Sequence, residues 1–252
     1  MKSFKILCLT VLLCLSFCAC QGKGGKAADA SELTPELTVP STQPSTASNA
    51  GDAVVVGREE TYSYTDQNNS THTTVYRIPA LNFDTAEARQ INGIINSMYS
   101  DAFNTAEHAQ ATQQQLPLAS LDYSANLNDD VISLLIKSED QSHTVTYAVF
   151  NYNKTTGQHM DNTALLEYLQ LDYDQTFAQL KAALEDDYYS KFKYENFPDD
   201  YYYQLELTVG DTAVQASSLY LNENGELFAV CTERASVGKG EFQVLLKVQT
   251  DN

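Results

Sequence analysis

The chain predicts an α+β fold, a largely antiparallel sheet with helices packed on it, and three observations carry that reading. Strand-like alternation fills 53–78 and 121–152 and returns in the last third. Apolar residues at helical spacing are confined to the stretches after Asp84 and after Thr163. The two kinds of segment come in separate runs, which suits an antiparallel sheet better than a wound parallel one. All these elements fall within residues 53–252, about 200 residues, enough to bury a real core as a single domain.

Taken in order, Ala53 to Val56, Glu60 to Tyr64 and Thr71 to Ile78 read as strands, the last two joined as a hairpin by the polar DQNNS. Pro79 ends the third strand, since it has no N–H to give a ladder. Asp84 with Glu87 three residues on reads as an N-cap and its capping box. The helix that follows carries Ala88, Ile91, Ile94, Ile95, Met98 and Ala102 on one spacing and continues to Phe103, so that face is expected to be buried. Gln113 to Gln115 reads as loop. Leu121 to Leu127, Val131 to Lys137 and His143 to Tyr152 are strands; in the last, Val145, Tyr147 and Val149 share one face and Thr144, Thr146, Ala148 and Phe150 the other, with both faces at least partly covered. After the turn KTTGQ the period changes to 3.6, giving a short helix near Thr163 to Leu169 and a longer one from Asp174 to Tyr188 with Phe177, Leu180 and Leu184 inward. Strands return at Tyr201 to Val209, Ala216 to Leu221, Glu226 to Thr232 and Glu241 to Gln249. NENG joins the middle pair, with Asn224 and Gly225 suited to left-handed angles.

Composition changes before residue 53. Residues 20–52 have almost no large apolar side chains and a Ser/Thr/Pro-rich middle, so nothing offsets the entropy cost of ordering them; they read as a disordered tether. Residues 1–19 combine Lys2 and Lys5 with an apolar run from Ile6 to Phe17, shorter than the ~20 residues of a spanning helix. They read as a secretion signal that is removed. The end of the run, with small Ala19 directly before Cys20, resembles the lipobox of bacterial lipoproteins. That resemblance implies lipidation of Cys20 and attachment to the outer face of the bacterial cell membrane, where two acyl chains give a stable anchor. Cutting before Cys18 instead would put bulky Phe17 against the cleaved bond.

The formal charge of −18 becomes −20 once Lys2 and Lys5 leave with the signal. Such a charge excludes nucleic acid as a partner and favours a cationic protein, although acidity alone also serves solubility. Four of the five cysteines, Cys8, Cys14, Cys18 and Cys20, lie in or at the end of the signal. Cys231 is left without a disulfide partner and reads as a buried thiol in LFAVC.

No catalytic or cofactor pattern emerges, so no enzyme activity, cofactor or metal is expected. His72, His108, His143 and His159 lie in no metal-ligand spacing, and G-x-S-x-G and Walker patterns are lacking. Carboxylate pairs such as Asp129-Asp130 and Asp199-Asp200 are frequent because 33 residues are acidic. The most unusual stretch is EDDYYSKFKYENFPDDYYYQLEL, Glu185 to Leu207, where tyrosines alternate with acids. Tyrosine offers large contact area with a polar tip, so Tyr188, Tyr189, Tyr194, Tyr201, Tyr202 and Tyr203 with Asp199 and Asp200 form the candidate binding surface. The other reading of the same pattern packs alternate tyrosines under the helices and leaves the acids solvated.

Four features, in their order, resemble a known family: YRIPAL, then INGIIN on the following helix, then NYNKTTG after paired strands, then a helix pair with an aromatic-rich stretch. They are similar to the extracytoplasmic domain of RsiV-type anti-sigma factors and of some peptidoglycan deacetylases, over roughly Tyr62 to Val248. The resemblance implies a binding module, with lysozyme as the ligand in the anti-sigma branch. SEDQSH stands where the family commonly has a Gly-Ala-His turn, and His143 alone corresponds. The expected function is a surface-anchored lipoprotein with a non-catalytic domain for lysozyme or another cationic envelope protein. The alternative is a glycan-binding or accessory module of envelope remodelling.

Overall fold

A computed structural model describes residues 49–192, 198–235 and 240–250, all within one compact unit, Gln43–Asn252. The signal segment, Cys20, most of the tether and Tyr194 lie outside the described residues. The α+β class holds, with two sheets instead of one. A six-stranded sheet has the order β1 (Val54–Thr65), β2 (Thr71–Leu81), β3 (Leu118–Asn128), β4 (Val131–Asp140), β5 (Val145–Asn153), β6 (Gln158–Met160). Every pairing in it is antiparallel except β2 with β3, which meet in parallel at Tyr76 and Leu121. The second sheet is antiparallel: β7 (Ser218–Leu221), β8 (Leu227–Arg234) and β9 (Glu241–Lys247).

The first 12-residue strand absorbs two segments that the sequence separates. A register shift between Val56 and Arg58 marks a bulge at Gly57. A Cβ there would stand 2.9 Å from the carbonyl oxygen of Pro79, so the close approach requires glycine. The bulge sits opposite Pro79 and the pairing continues past it to Leu81, which corrects the expectation that proline ends β2. Asn49 and Ala50, counted with the tether on composition, belong to the fold: Ala50 is buried and Asn49 Oδ1 accepts the Leu127 N–H at 2.6 Å.

Helix α1 (Ala86–Ala111) lies on one face of the large sheet. Its N-cap is Thr85, one residue beyond the expected Asp84, because the Thr85 hydroxyl accepts the Ala88 N–H at 3.1 Å. Ala88, Ile91, Ile95, Tyr99, Phe103, Ala106 and Ala109 are buried. Ile94 and Met98 are exposed, at 43% and 50%, which corrects the predicted face. The buried stripe is centred on Tyr99 and on small alanines, and it continues about two turns beyond Phe103.

Three of the sequence motifs meet at packing joints. The Asn92 side chain of INGIIN clamps the last residue of YRIPAL: its Oδ1 accepts the Leu81 N–H at 2.8 Å and its Nδ2 donates to Leu81 O at 3.0 Å. In NYNKTTG, the Tyr152 hydroxyl lies 3.0 Å from Thr85 Oγ1, and a Cβ on Gly157 would meet Thr85 Cγ2 at 3.3 Å. At the other end of α1, Gln110 Oε1 accepts the Ser63 N–H at 2.7 Å and Gln113 Oε1 the Thr65 N–H at 3.0 Å. Both N–H groups lie on β1, the edge strand of the sheet.

The opposite face of β4 and β5 meets the small sheet. Leu135, Tyr147 and Val149 pack against Tyr220, Phe228, Val230 and Leu245, so both faces of β5 are covered. Between the sheets, polar side chains serve the backbone of β7 as a neighbouring strand would. Asn151 Nδ2 donates to Leu219 O at 2.7 Å, Ser133 Oγ accepts the Leu221 N–H at 3.0 Å, and Asn126 Nδ2 donates to Leu221 O at 3.2 Å. Asn162 Oδ1 accepts the Leu219 N–H at 2.9 Å. Buried Asn126, Ser133 and Asn151 are thereby satisfied.

Beyond the small sheet lie α2 (Asn162–Leu169), α3 (Tyr173–Lys191), α4 (Pro198–Val209) and α5 (Asp211–Gln215). Leu165, Phe177, Leu180 and Leu184 form a second core with Leu219, Ala229, Cys231 and Val248. Helix α4 replaces the strand expected at Tyr201 to Val209. Among its described side chains Tyr201, Leu205 and Thr208 are buried, a helical spacing, while Tyr202 and Tyr203 are both exposed; a strand would have sent those neighbours to opposite faces. Of NENG, Gly225 alone takes a positive φ, 74°, and the Asn222 carboxamide oxygen accepts the N–H groups of Asn224 and Glu226.

Candidate functional site

The described parts of the tyrosine-rich stretch form the end of α3 and most of α4, packed side by side over the small sheet. Helical periodicity divides its tyrosines into two sets. Tyr188 and Tyr201 are buried with Leu205, and half-buried Phe192 and Val209 pack against them. Their rings meet edge to face at 5.4 Å, and Tyr188 Oη reaches Tyr201 O at 3.5 Å. These two were placed on the candidate binding surface and are removed from it: they form the support beneath. Burial pushes the Tyr188 hydroxyl up to about 12 and raises that of Tyr201 as well.

Tyr189, Tyr202 and Tyr203 are the exposed set. Tyr189 stacks over the Tyr201 ring at 6.4 Å, and Tyr202 meets the same ring edge-on at 5.6 Å, so the buried tyrosine orders two exposed ones. Tyr189 Oη donates to Glu185 Oε1 at 2.6 Å, and that bond raises its pKa to about 12. Exposed Asp186 and Glu206 and half-buried Asp200 lie on the same two helices, Asp200 accepting from Gln204 Nε2 at 3.1 Å. The side chain of Asp199, like Tyr194, lies outside what the structure describes. The arrangement offers aromatic area ringed by carboxylates, with acceptors in excess of donors.

Sequence reading missed the most unusual group beside this surface. Glu233, near the end of β8, is fully buried. Its Oε2 accepts from Lys191 Nζ at 2.9 Å, while Oε1 has no hydrogen-bond partner among the described residues. Lys191, in the last turn of α3, also pairs with Asp187. Its ammonium lies 5.6 Å from the centre of the Phe242 ring, on the residue that faces Glu233 across the strands. Desolvation, with Asp187 close enough to accept a hydrogen bond from the protonated form, raises the Glu233 carboxyl to about 7, against the pull of Lys191. A signal was present in the sequence: Leu227, Ala229, Cys231 and Glu233 alternate along one strand, which puts the acid on the inward face.

The remaining nominated groups are dispersed. Cys231 is buried, bonds Ser217 Oγ through its sulfur at 3.4 Å, and is pushed up to about 11 by burial, so its thiol is inert at neutral pH. His72 stacks on Tyr64 and bonds Asp66 at 3.0 Å at the tip of the first hairpin. His143, with φ 63°, turns the β4–β5 hairpin and bonds Glu139 at 2.8 Å. Asp129 and Asp130 serve the turn between β3 and β4, with Asp129 at φ 50°. Among the described residues no group of three His, Cys, Asp or Glu side chains is placed to hold a metal ion. Two cavities, of about 280 and 490 Å³, are lined by none of the nominated residues. No helix among the described residues is long and apolar enough to cross a membrane. Scans of protein-family models and of curated proteins find no match to this chain.

Proposed function

We propose that this protein is a surface-anchored bacterial lipoprotein, held to the outer face of the cell membrane through Cys20, whose folded domain is a non-catalytic module that binds a cationic protein. The observation that carries the reading is the exposed set Tyr189, Tyr202 and Tyr203, lying among Glu185, Asp186, Asp200 and Glu206 above a buried aromatic support. Ordered tyrosines give contact area at little entropy cost, and the net charge, −18 for the full chain and more negative without Lys2 and Lys5, draws a basic partner by long-range attraction. Lysozyme is the first ligand to test, because it is the ligand in the anti-sigma branch of the family that the chain resembles.

Calorimetry tests the reading. Lysozyme binds with an affinity that falls as salt rises, since charges further apart than about 8 Å are screened at physiological ionic strength. The joint change Tyr202→Ala and Tyr203→Ala weakens that complex at least tenfold, and leaves untouched the feeble attraction of an equally basic protein such as cytochrome c. Equal, weak binding of both proteins at moderate salt refutes the reading and leaves the acidity to solubility.

A further inference from the structure

Buried Glu233, grouped with the partly exposed Lys191 and Asp187, has the wrong number of charges for its surroundings. Two carboxylates and one ammonium leave an excess negative charge where Glu233 has no exposed surface, and one carboxyl oxygen is left without a donor. Burying an unpaired polar atom is costly, and burying an unbalanced charge is more so. One proton removes both defects. Carried on Glu233, it supplies a donor for which the neighbouring Asp187 carboxylate is an acceptor, and the trio becomes neutral with Lys191 balancing Asp187.

The trio also has a defined position. Asp187 and Lys191 are one turn apart at the end of α3, and Phe192, which follows, packs on Tyr188 and on Phe242 of β9. Glu233 is one residue from the end of β8. The contact therefore ties the last turn of α3 to the small sheet. From the packed elements, α3 presents Asp187, Lys191 and Tyr188 to this pocket, β9 presents the uncharged Phe242, and β8 itself adds Cys231. Helix α4 reaches the neighbouring residue, its Thr208 hydroxyl accepting the Arg234 N–H at 3.0 Å.

We propose that Glu233, Asp187 and Lys191 form a proton-operated latch, which closes the end of α3 on β8 when Glu233 holds a proton and loosens it when the proton leaves. The direction follows from linkage. Glu233 titrates near 7 in the folded protein and near 4.5 in an unfolded segment, so between those values the closed state binds more protons than the open one. Closure is strongest below pH 5 and is lost as pH rises through 7. Tyr188 and Tyr189 lie on this end of α3 and both rings meet Tyr201 of α4, so the candidate binding surface is ordered best in mildly acid surroundings.

Amide hydrogen exchange on the full chain tests the latch. After correction for the intrinsic rate, protection of the last turn of α3, including the Phe192 amide bonded to Tyr188 O, falls on the order of a hundredfold between pH 5 and pH 8. Amides of α1 do not change over that range. Glu233→Gln keeps a neutral donor facing Asp187 and makes the α3 protection independent of pH. Wild-type protection that does not vary with pH, or the same variation in Glu233→Gln, overturns the proposal. Should that variant not fold, infrared difference spectra of the wild type decide. A protonated carboxyl signal that persists at pH 6 and disappears by pH 8 supports the latch; loss of every such signal below pH 5 overturns it.

Discussion

Asn92 offers the most direct test of how the long helix is held. Its carboxamide makes two hydrogen bonds to the backbone of Leu81, at 2.8 and 3.0 Å, and Leu81 is only 3% exposed. Each such bond contributes about 0.5–1.5 kcal/mol net, so Asn92→Ala costs about 1–3 kcal/mol; the upper half applies because water reaches the orphaned N–H and C=O poorly. For a domain of this size that corresponds to a fall in Tm of about 4–12 °C. Asn92→Asp separates hydrogen bonding from shape. An ionised carboxylate keeps the Leu81 N–H but turns a negative oxygen toward the Leu81 carbonyl, so at neutral pH this variant is at least as unstable as the alanine. When protonated, its O–H donates to that carbonyl and both bonds return. Its folded pKa is raised, its deficit relative to wild type shrinks as pH falls toward 4, and urea unfolding at several pH values reads the change. An Asn92→Ala variant within about 0.5 kcal/mol of wild type, or an aspartate deficit that does not vary with pH, refutes the clamp.

Two further outcomes are expected. Ile95→Asp puts a charge where no surface is exposed and leaves no cooperative thermal transition, whereas Met98→Asp, on the exposed side of the same helix, stays within about 0.5 kcal/mol of wild type; similar melting of the two variants means the helix is rotated from its described phase. Cys20→Ala abolishes incorporation of labelled palmitate in a bacterial host and releases the protein from the membrane fraction or leaves its precursor uncut; labelling equal to wild type rules out Cys20 as the lipidated residue.

How much of this was legible in the sequence depended on how each residue solves its burial. Strands with clean alternation, such as 145–153, could be read with their faces, because a period of two survives substitutions within it. The phase of α1 was misjudged since Tyr99, Ala106 and Ala109, not Ile94 and Met98, complete its buried stripe with Ala88, Ile91, Ile95 and Phe103. Size and hydropathy alone undervalue an alanine that lets a helix approach a sheet. The run Tyr201 to Tyr203 has the composition of a strand, and its helix is visible only in the spacing of Tyr201, Leu205 and Thr208. Asn126, Ser133 and Asn151 could not be read as interior, because a polar residue becomes compatible with burial only when a distant backbone group, here on β7, completes it. The candidate surface was legible as a stretch of chain; which tyrosines face outward required the helix.

The two glutamines at the end of α1 do more than join helix to sheet. A strand of 12 residues at the margin of a sheet is a template on which another chain can add its own backbone, and the N–H groups of Ser63 and Thr65 are part of what such a chain would pair with. Gln110 and Gln113 occupy those positions with amide oxygens, and the bulge at Gly57 twists the opposite end of the strand out of line. Protection against chain-to-chain growth is thus assigned to the last turn of a helix and the turn that follows it, where fraying begins. A loosening of this fold that opens its edge need not involve the core at all: two side chains letting go of β1 would leave the Ser63 and Thr65 N–H groups open to pair with another chain.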